Sequence, residues 1–311
     1  MDKVNFVSTA LKGMAMGMAE VIPGVSGGTI AFITGIYERL LASISSFGGN
    51  LIGTFKSGGL KAVWKAIDGN FLVALLCGMF VGIVSGVFGI TWLLDNYPPV
   101  VWGFFFALII ASSIYMIRMV ESWNILSGVL LVIGIAVAYG ITVLAPSAGN
   151  EALWFVFLSG CIAISALILP GISGSFILLL LGMYTIVIPA VKDMLKTFST
   201  DSLLIVAVFG LGCITGVMVF SRLLTFVFKN FKNHTIAILT GFMIGSLNKI
   251  WPWRVCVDEA VVNGKIKCLK EQNIMASAYE SEPYVMGVVL AMVLGVALVW
   301  FLAKTDKSKT E

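Results

Sequence analysis

The stretch "AEVIPGVSGGTIAF", residues 19–32, interrupts an apolar region with a carboxylate, a proline, three glycines and two hydroxyl side chains. Proline lacks an amide hydrogen and clashes with the preceding helical turn, so a helix is predicted to end near Ile22. A new helix is predicted to begin at "SGGT". The stretch "ALILPGISGSFILL", residues 166–179, repeats the pattern, with a helix end near Leu169 and a new start at "SGS".

The composition around these interruptions is that of a membrane protein. The chain has 311 residues, of which 59% are hydrophobic and 12% charged, and its mean hydropathy is +1.01. Soluble domains carry about 25% charged residues, so a polytopic membrane protein is predicted. The formal charge of +4 comes from short basic clusters between apolar runs, which excludes nucleic acid as the expected partner. The short charged N-terminus leads directly into the first interruption, and we expect no cleavable signal peptide.

Uninterrupted apolar stretches long enough to cross roughly 30 Å of hydrocarbon need about 20 residues. Six such stretches are present, at residues 70–94, 98–119, 123–146, 201–228, 233–250 and 284–303. Two more apolar regions, 4–46 and 150–194, contain the interruptions. We predict that both are re-entrant helical hairpins, because non-helical backbone at membrane depth must be buried in protein or line a wet cavity.

The basic residues predict the orientation. If both termini are cytoplasmic, most of the 20 basic residues lie inside, and the outside loops "DNYPP" and "APSAGNE" contain no Lys or Arg. The polar loop 251–283 is then outside. Cys256 and Cys268 flank its polar part, and a disulfide between them would persist in an oxidising compartment. The remaining cysteines lie in apolar segments and are expected to behave as small hydrophobic residues: Cys77, Cys161 and Cys213.

The two interruptions belong to an internal repeat. Pro23 recurs as Pro170, 147 positions later, and the same spacing relates a set of further identical residues. They are Gly24, Ser26, Gly27, Gly35 and Tyr37, which recur as Gly171, Ser173, Gly174, Gly182 and Tyr184. Downstream, Gly78 and Gly82 recur as Gly212 and Gly216 with a spacing of 134. The repeats are predicted to be residues 1–149 and 150–311.

Each repeat contains one hairpin and three spans. Because three is odd, the second repeat would insert upside down, and the two interruptions would approach each other from opposite membrane faces. The predicted fold is an all-α polytopic membrane protein with an inverted-topology internal repeat, an architecture typical of secondary transporters. The alternative is that the repetition only reflects duplication of a packing unit.

A helix start exposes unpaired amide hydrogens and the positive end of the helix dipole, which together bind anions without a fixed charge. The candidate substrate-binding residues are therefore those of the two starts: Ser26, Gly27, Gly28, Thr29, Ser173, Gly174 and Ser175. No Lys-Ser/Thr pair follows the glycines, so this is not a nucleotide P-loop. Other glycines at four-residue spacing are assigned to helix packing: Gly13, Gly17, Gly78, Gly82 and Gly86.

Glu20 is the acid most firmly embedded in apolar sequence, and an ionisable group at depth is a functional candidate. It is our candidate for coupling to a proton or sodium ion. The alternative is a structural role, paired with Lys12 or Arg39. The second repeat has Leu167 at the equivalent position, so the role would be asymmetric. Arg39, on the first hairpin, is a further candidate for contacting substrate. His234 is the only histidine, and no metal site or cofactor is expected.

Three segments resemble the bacterial polyprenyl-phosphate transporter family. They are "KGMAMGMAEVIPGVSGGTIAFITGIYERL" (12–40), "LPGISGSFILLLLGMY" (169–184) and "GFMIGSLNKIWPW" (241–253). The resemblance covers nearly the whole chain. It implies a plasma-membrane flippase that returns undecaprenyl phosphate from the outer to the inner leaflet, recycling the lipid carrier for peptidoglycan and other envelope polymers. The polar insertion 254–282 is longer than expected, and its role and the oligomeric state stay open.

Three other functions are considered. A secondary transporter of a small anion would use the same helix starts, but with a cavity closed to lipid. An intramembrane lipid phosphatase would need histidines as nucleophile and acid/base, and His234 alone cannot fill both roles. A purely structural membrane protein is the remaining alternative.

Overall fold

The protein is described from a computed structural model that covers residues 5–22, 25–47, 51–147, 149–197, 199–262 and 265–307. The first half contains seven helices: α1 Phe6–Glu20, α2 Gly27–Ile33, α3 Tyr37–Ser45, α4 Leu51–Ala66, α5 Gly69–Asn96, α6 Pro98–Arg118 and α7 Ile125–Val143. The second half contains six: α8 Leu153–Ile168, α9 Gly174–Leu180, α10 Tyr184–Thr197, α11 Thr200–Asn230, α12 Lys232–Ser246 and α13 Val285–Lys307.

Five of these helices, α5, α6, α7, α11 and α13, are long and apolar enough to cross a membrane. They confirm the prediction of an all-α polytopic membrane protein. The span predicted at residues 233–250 differs, because α12 has only 15 residues and a 3-10 turn, Leu247–Ile250, continues it. At 1.5 Å per α-helical and about 2.0 Å per 3-10 residue, the two together reach about 30 Å.

The interruptions lie where the sequence predicts them. Helix α1 ends at Glu20 and α8 at Ile168, and the next helices begin after the N-cap residues Ser26 and Ser173. Pro23 and Gly24 are outside the described residues. In the second repeat, α9 and α10 are bent by 108° to each other.

Equivalent glycines make the turn after each short helix. Gly35 follows α2 with a φ of +69°, and Gly182 follows α9 with a φ of +68°. Glycine adopts this left-handed region without the steric penalty that a Cβ brings. The 147-position spacing of the sequence is thus a repeat of backbone geometry.

Packing between helices follows the same correspondence. Helix α1 packs on α5 and α8 on α11, while α6 packs on α13 and α7 on α12. A Cβ on Gly78 would lie 2.0 Å from the carbonyl oxygen of Ala10, and one on Gly212 would lie 2.2 Å from that of Phe157. Ala10 and Phe157 are themselves 147 positions apart. The third span of each repeat packs on the second span of the other, so the repeats form a single body. Their inverted insertion stays a prediction.

The polar loop contains a β-hairpin that the sequence analysis did not predict. Strands β1, Arg254–Val262, and β2, Lys265–Asn273, pair in antiparallel register. A disulfide joins Cys256 to Cys268, as the predicted outside position allows. The indole of Trp253 donates to the carbonyl oxygen of Pro283 at 2.9 Å and anchors the base of the hairpin.

The link between α3 and α5 contains the amphipathic helix α4. Its apolar side chains Ile52 and Leu60 are 74% and 77% exposed. Lys56 and Lys61 lie on the same helix. A helix with exposed apolar groups and lysines is typical of a segment that lies in the membrane interface.

Candidate functional site

The two interruptions contact each other in the protein interior. The hydroxyl of Ser26 lies 3.1 Å from the carbonyl oxygens of both Leu167 and Leu169. The amide of Gly171 donates to the hydroxyl oxygen of Thr29 at 3.0 Å. The start of α2 therefore meets the end of α8, as the repeat predicted for two breaks that approach each other.

Helix ends explain why these partners are needed. The last carbonyls of α8 have no helical donor, and hydroxyl groups of the other repeat supply one. In addition to Ser26, the hydroxyl of Tyr37 donates to the carbonyl oxygen of Ile168 at 3.2 Å. Ser26 and Thr29 are fully buried. A Cβ on Gly28 would lie 2.4 Å from the same Ile168 oxygen, so this contact excludes any larger residue.

The first amide of α2 already holds an anionic oxygen. Oε1 of Glu20 accepts a hydrogen bond from the amide of Gly27 at 2.7 Å. The next amide, that of Gly28, donates to the hydroxyl oxygen of Ser26 at 3.0 Å. The expectation that these amides are unpaired is therefore wrong for this conformation. An oxyanion does occupy the helix start, and it is the protein's own carboxylate.

The alternative partners of Glu20 make other contacts. The ammonium group of Lys12 donates to the carbonyl oxygen of Thr34 at 2.5 Å. Nε of Arg39 forms an ion pair with Asp68 at 2.6 Å, and its guanidinium lies 4.8 Å from the ring centre of Phe71. Arg39 lines a cavity of about 570 Å³ with residues of α3 and α4, so the structure does not bring it to the helix starts.

The second helix start is arranged differently. The hydroxyl oxygens of Ser173 and Ser175 lie 2.9 Å apart, and Ser173 does not cap α9. Ser173 is buried and Ser175 is exposed. A narrow crevice begins here, and its lining includes Thr142, Phe176 and Lys249. The sequence analysis named the serines but not Lys249, although Lys249 lies in "GFMIGSLNKIWPW", one of the three segments that carried the family resemblance.

A larger apolar cavity of about 630 Å³ lies between α1, α2, α6 and α13. Leu11, Ile33 and Phe301 contribute to its walls, and Lys12 supplies a positive charge. Leu11 is 58% exposed and Phe301 60% exposed. The cavity therefore borders the surface that faces lipid in a membrane protein.

We predict that Thr29→Val destabilises the protein and Thr29→Ser does so less. Valine is close in size to threonine but cannot accept the buried amide of Gly171, and leaving a buried donor unpaired costs about 1–3 kcal/mol. Serine loses a methyl group but keeps the acceptor. Thermal unfolding in detergent measures the difference, and a valine variant as stable as the serine variant would contradict the role of this hydrogen bond.

The fold and these contacts define an all-α polytopic membrane protein in which two interrupted helices meet and a helix start binds a carboxylate. The chain belongs to the VCA0040-like family, described as undecaprenyl phosphate translocase-like, which matches residues 16–267. This confirms the resemblance found in the sequence. Within the described residues, no group of three or more His, Cys, Asp or Glu is placed to hold a metal ion.

Two relatives are similar over most of the chain. One is a polyprenyl-phosphate transporter of Vibrio cholerae serotype O1 (strain ATCC 39315 / El Tor Inaba N16961), 44% identical over 307 residues and covering 97% of each chain. The other is a polyprenyl-phosphate transporter of Staphylococcus aureus (strain NCTC 8325 / PS 47), 32% identical over 256 residues, or 78% of this chain and 85% of the relative. No solved structure matches the chain.

Proposed function

We propose that this protein transports a polyprenyl phosphate across the bacterial plasma membrane, returning undecaprenyl phosphate from the outer to the inner leaflet. Both relatives carry the name polyprenyl-phosphate transporter. The termini are cytoplasmic in this proposal, in agreement with the distribution of Lys and Arg. The returned carrier is used again for peptidoglycan and other envelope polymers.

One observation carries the proposal: the amide of Gly27 binds the carboxylate of Glu20 at 2.7 Å where the two repeats meet. A helix start that holds one oxyanion in a buried place has the donors and the dipole to hold a phosphate oxygen. In the substrate-bound state the head group takes the place of Glu20. The head group is then held by the residues of the two starts: Ser26, Gly27, Gly28, Thr29, Ser173, Gly174 and Ser175.

Glu20 couples transport to an ion gradient in this mechanism. A proton or a sodium ion that neutralises the carboxylate weakens its hold on the Gly27 amide and frees the amide for phosphate. When the ion leaves, the charged carboxylate displaces the head group again. The exchange needs no fixed cation at the helix start, and Arg39 remains a candidate for contacting the head group on the cytoplasmic side.

The apolar cavity favours a lipid over a small anion. Its walls are apolar, two of its side chains are more than half exposed, and it borders α2, the helix whose start binds Glu20. A polyprenyl tail can lie there while the head group enters the protein. A transporter of a small anion would need no such opening. We also expect no phosphate release from a polyprenyl diphosphate, because His234 is the only histidine.

The test follows the leaflet exposure of a polyprenyl phosphate in liposomes that contain the purified protein. The double variant Ser26→Ala/Thr29→Ala is expected to lose most transport, since it removes both buried hydroxyls at the helix start. Ser57→Ala, on the exposed face of α4, is the matched control and should transport like wild type. Wild-type rates in a folded double variant would rule out this site, and no transport by wild-type protein would rule out the function.

A further inference from the structure

We propose that Lys249 and the hydroxyl pair Ser173–Ser175 form a capture site for a phosphate monoester head group at the mouth of the second interruption. The inference rests on the proposed function and extends it, since it names the cation that first meets the head group. The site faces the side predicted to be outside, where undecaprenyl phosphate would enter.

Lys249 reaches across the crevice to the broken helix. Its ammonium group lies 4.8 Å from the ring centre of Phe176, the residue that follows Ser175 on α9. The backbone of Lys249 is held in the 3-10 turn Leu247–Ile250, while its side chain is 22% exposed. A small rotation of the side chain therefore moves the charge between the mouth of the crevice and its present partner.

That partner is a carboxylate shared with a second cation. Oε2 of Glu271 lies 2.9 Å from the ammonium group of Lys249 and 2.8 Å from the guanidinium of Arg254. Arg254 is fixed, because it also donates to the carbonyl oxygen of Lys249 at 2.6 Å and stacks 4.1 Å from the ring centre of Trp102. Two cations and one carboxylate leave one positive charge for an anion.

The carboxylate stays charged under ordinary conditions. Burial of Glu271 opposes its ionisation, but Arg254 and Lys249 outweigh burial and lower the pKa of this carboxyl below its usual value. Glu271 pairs in register with Cys256, which the disulfide joins to Cys268. The cross-linked hairpin thus holds an exchangeable anion beside Lys249, and Arg254 can retain Glu271 after Lys249 turns to a phosphate.

The crevice supplies neutral donors of the kind a phosphate needs. The hydroxyls of Ser173 and Ser175 bond to each other at 2.9 Å, and either can donate. Ser173 is only 4% exposed, and Ser175 lies at the surface. A phosphate at the mouth would accept from Ser175 and from Lys249 together. These donors are on α9 and the 3-10 turn, so binding would link the broken helix to the span that precedes the hairpin.

The test measures equilibrium binding of farnesyl phosphate and of inorganic phosphate to the full-length protein in detergent. Lys249→Gln is expected to weaken farnesyl phosphate binding about tenfold or more, the loss of a charge-assisted hydrogen bond. Lys249→Arg keeps the charge and should retain most affinity. Glu271→Gln removes the competing carboxylate and should tighten binding. Lys192→Gln, an exposed lysine on the same predicted face but outside the crevice, is the matched control.

Each outcome decides the inference. Wild-type affinity in a folded Lys249→Gln variant, or no binding of either probe to wild-type protein, would overturn it. If that variant does not fold, weaker binding in Glu271→Gln would overturn it instead. Equally tight, Lys249-dependent binding of inorganic phosphate would support the phosphate site and contradict the lipid carrier. If liposome transport is normal while Lys249 has no effect on binding, the capture site fails and the proposed function stands.

Discussion

Glu20→Gln is expected to give a folded protein whose transport of polyprenyl phosphate no longer responds to an ion gradient. The glutamine side chain keeps an oxygen that can accept from the Gly27 amide, so the 2.7 Å contact and the helix start are retained. It loses the charge that a proton or sodium ion would neutralise. We expect the gradient-driven rate to fall about tenfold or more, because hydrogen bonds to charged groups contribute about 1.5–3 kcal/mol.

The measurement compares liposomes with and without an imposed proton or sodium gradient. Wild-type protein should respond to one of the two, and Glu20→Gln to neither. Glu38→Gln, an exposed acid on α3 of the same hairpin, is the control for loss of one negative charge and should respond like wild type. A Glu20→Gln variant with an intact gradient response would show that the carboxylate is structural and that coupling lies elsewhere.

Gly82→Ala is expected to destabilise the protein strongly, whereas Gly89→Ala on the same helix is expected to leave it as stable or more stable. A Cβ on Gly82 would lie 2.1 Å from the carbonyl oxygen of Met14 and 2.8 Å from its carbonyl carbon. Backbone atoms cannot rotate away, so α1 and α5 must separate. A Cβ on Gly89 meets no atom within 4 Å.

Both substitutions raise helix propensity by about 1 kcal/mol, so their difference isolates the contact between helices. Overpacking costs about 1–3 kcal/mol or more, and thermal unfolding in detergent should separate the two variants clearly. Gly216→Ala provides a second comparison, because a Cβ there would lie 2.6 Å from Cα of Cys161. Equal melting temperatures for Gly82→Ala and Gly89→Ala would contradict the close approach of α1 and α5.

The contact between the interruptions has a consequence for movement. Ser26 and Thr29 bond to the end of α8, so a change of access that separates the repeats must break these hydrogen bonds. The head group can replace them, since a phosphate accepts from hydroxyls and amides alike. Binding of substrate would then lower the free energy of the separated state, which is the differential affinity that any such shift requires.

The sequence by itself determined the class of protein and the places where its helices break. Hydropathy over about 20 residues records a span, and proline or a left-handed glycine acts on its own backbone. The ends at Glu20 and Ile168 and the turns at Gly35 and Gly182 follow from such local effects. The repeat was visible for the same reason, because the residues that shape the backbone are the ones that recur.

Only the tertiary structure decided which groups meet. The sequence contains Ser26 and its acceptor Leu169, but they are 143 positions apart, and only packing brings them together. Likewise Arg39 pairs with Asp68 and leaves the helix starts, whereas Lys249 reaches one of them. A polar side chain can satisfy its hydrogen bonds with many partners. The choice among them is made by the helix contacts that bury it, and those contacts join residues far apart in the chain.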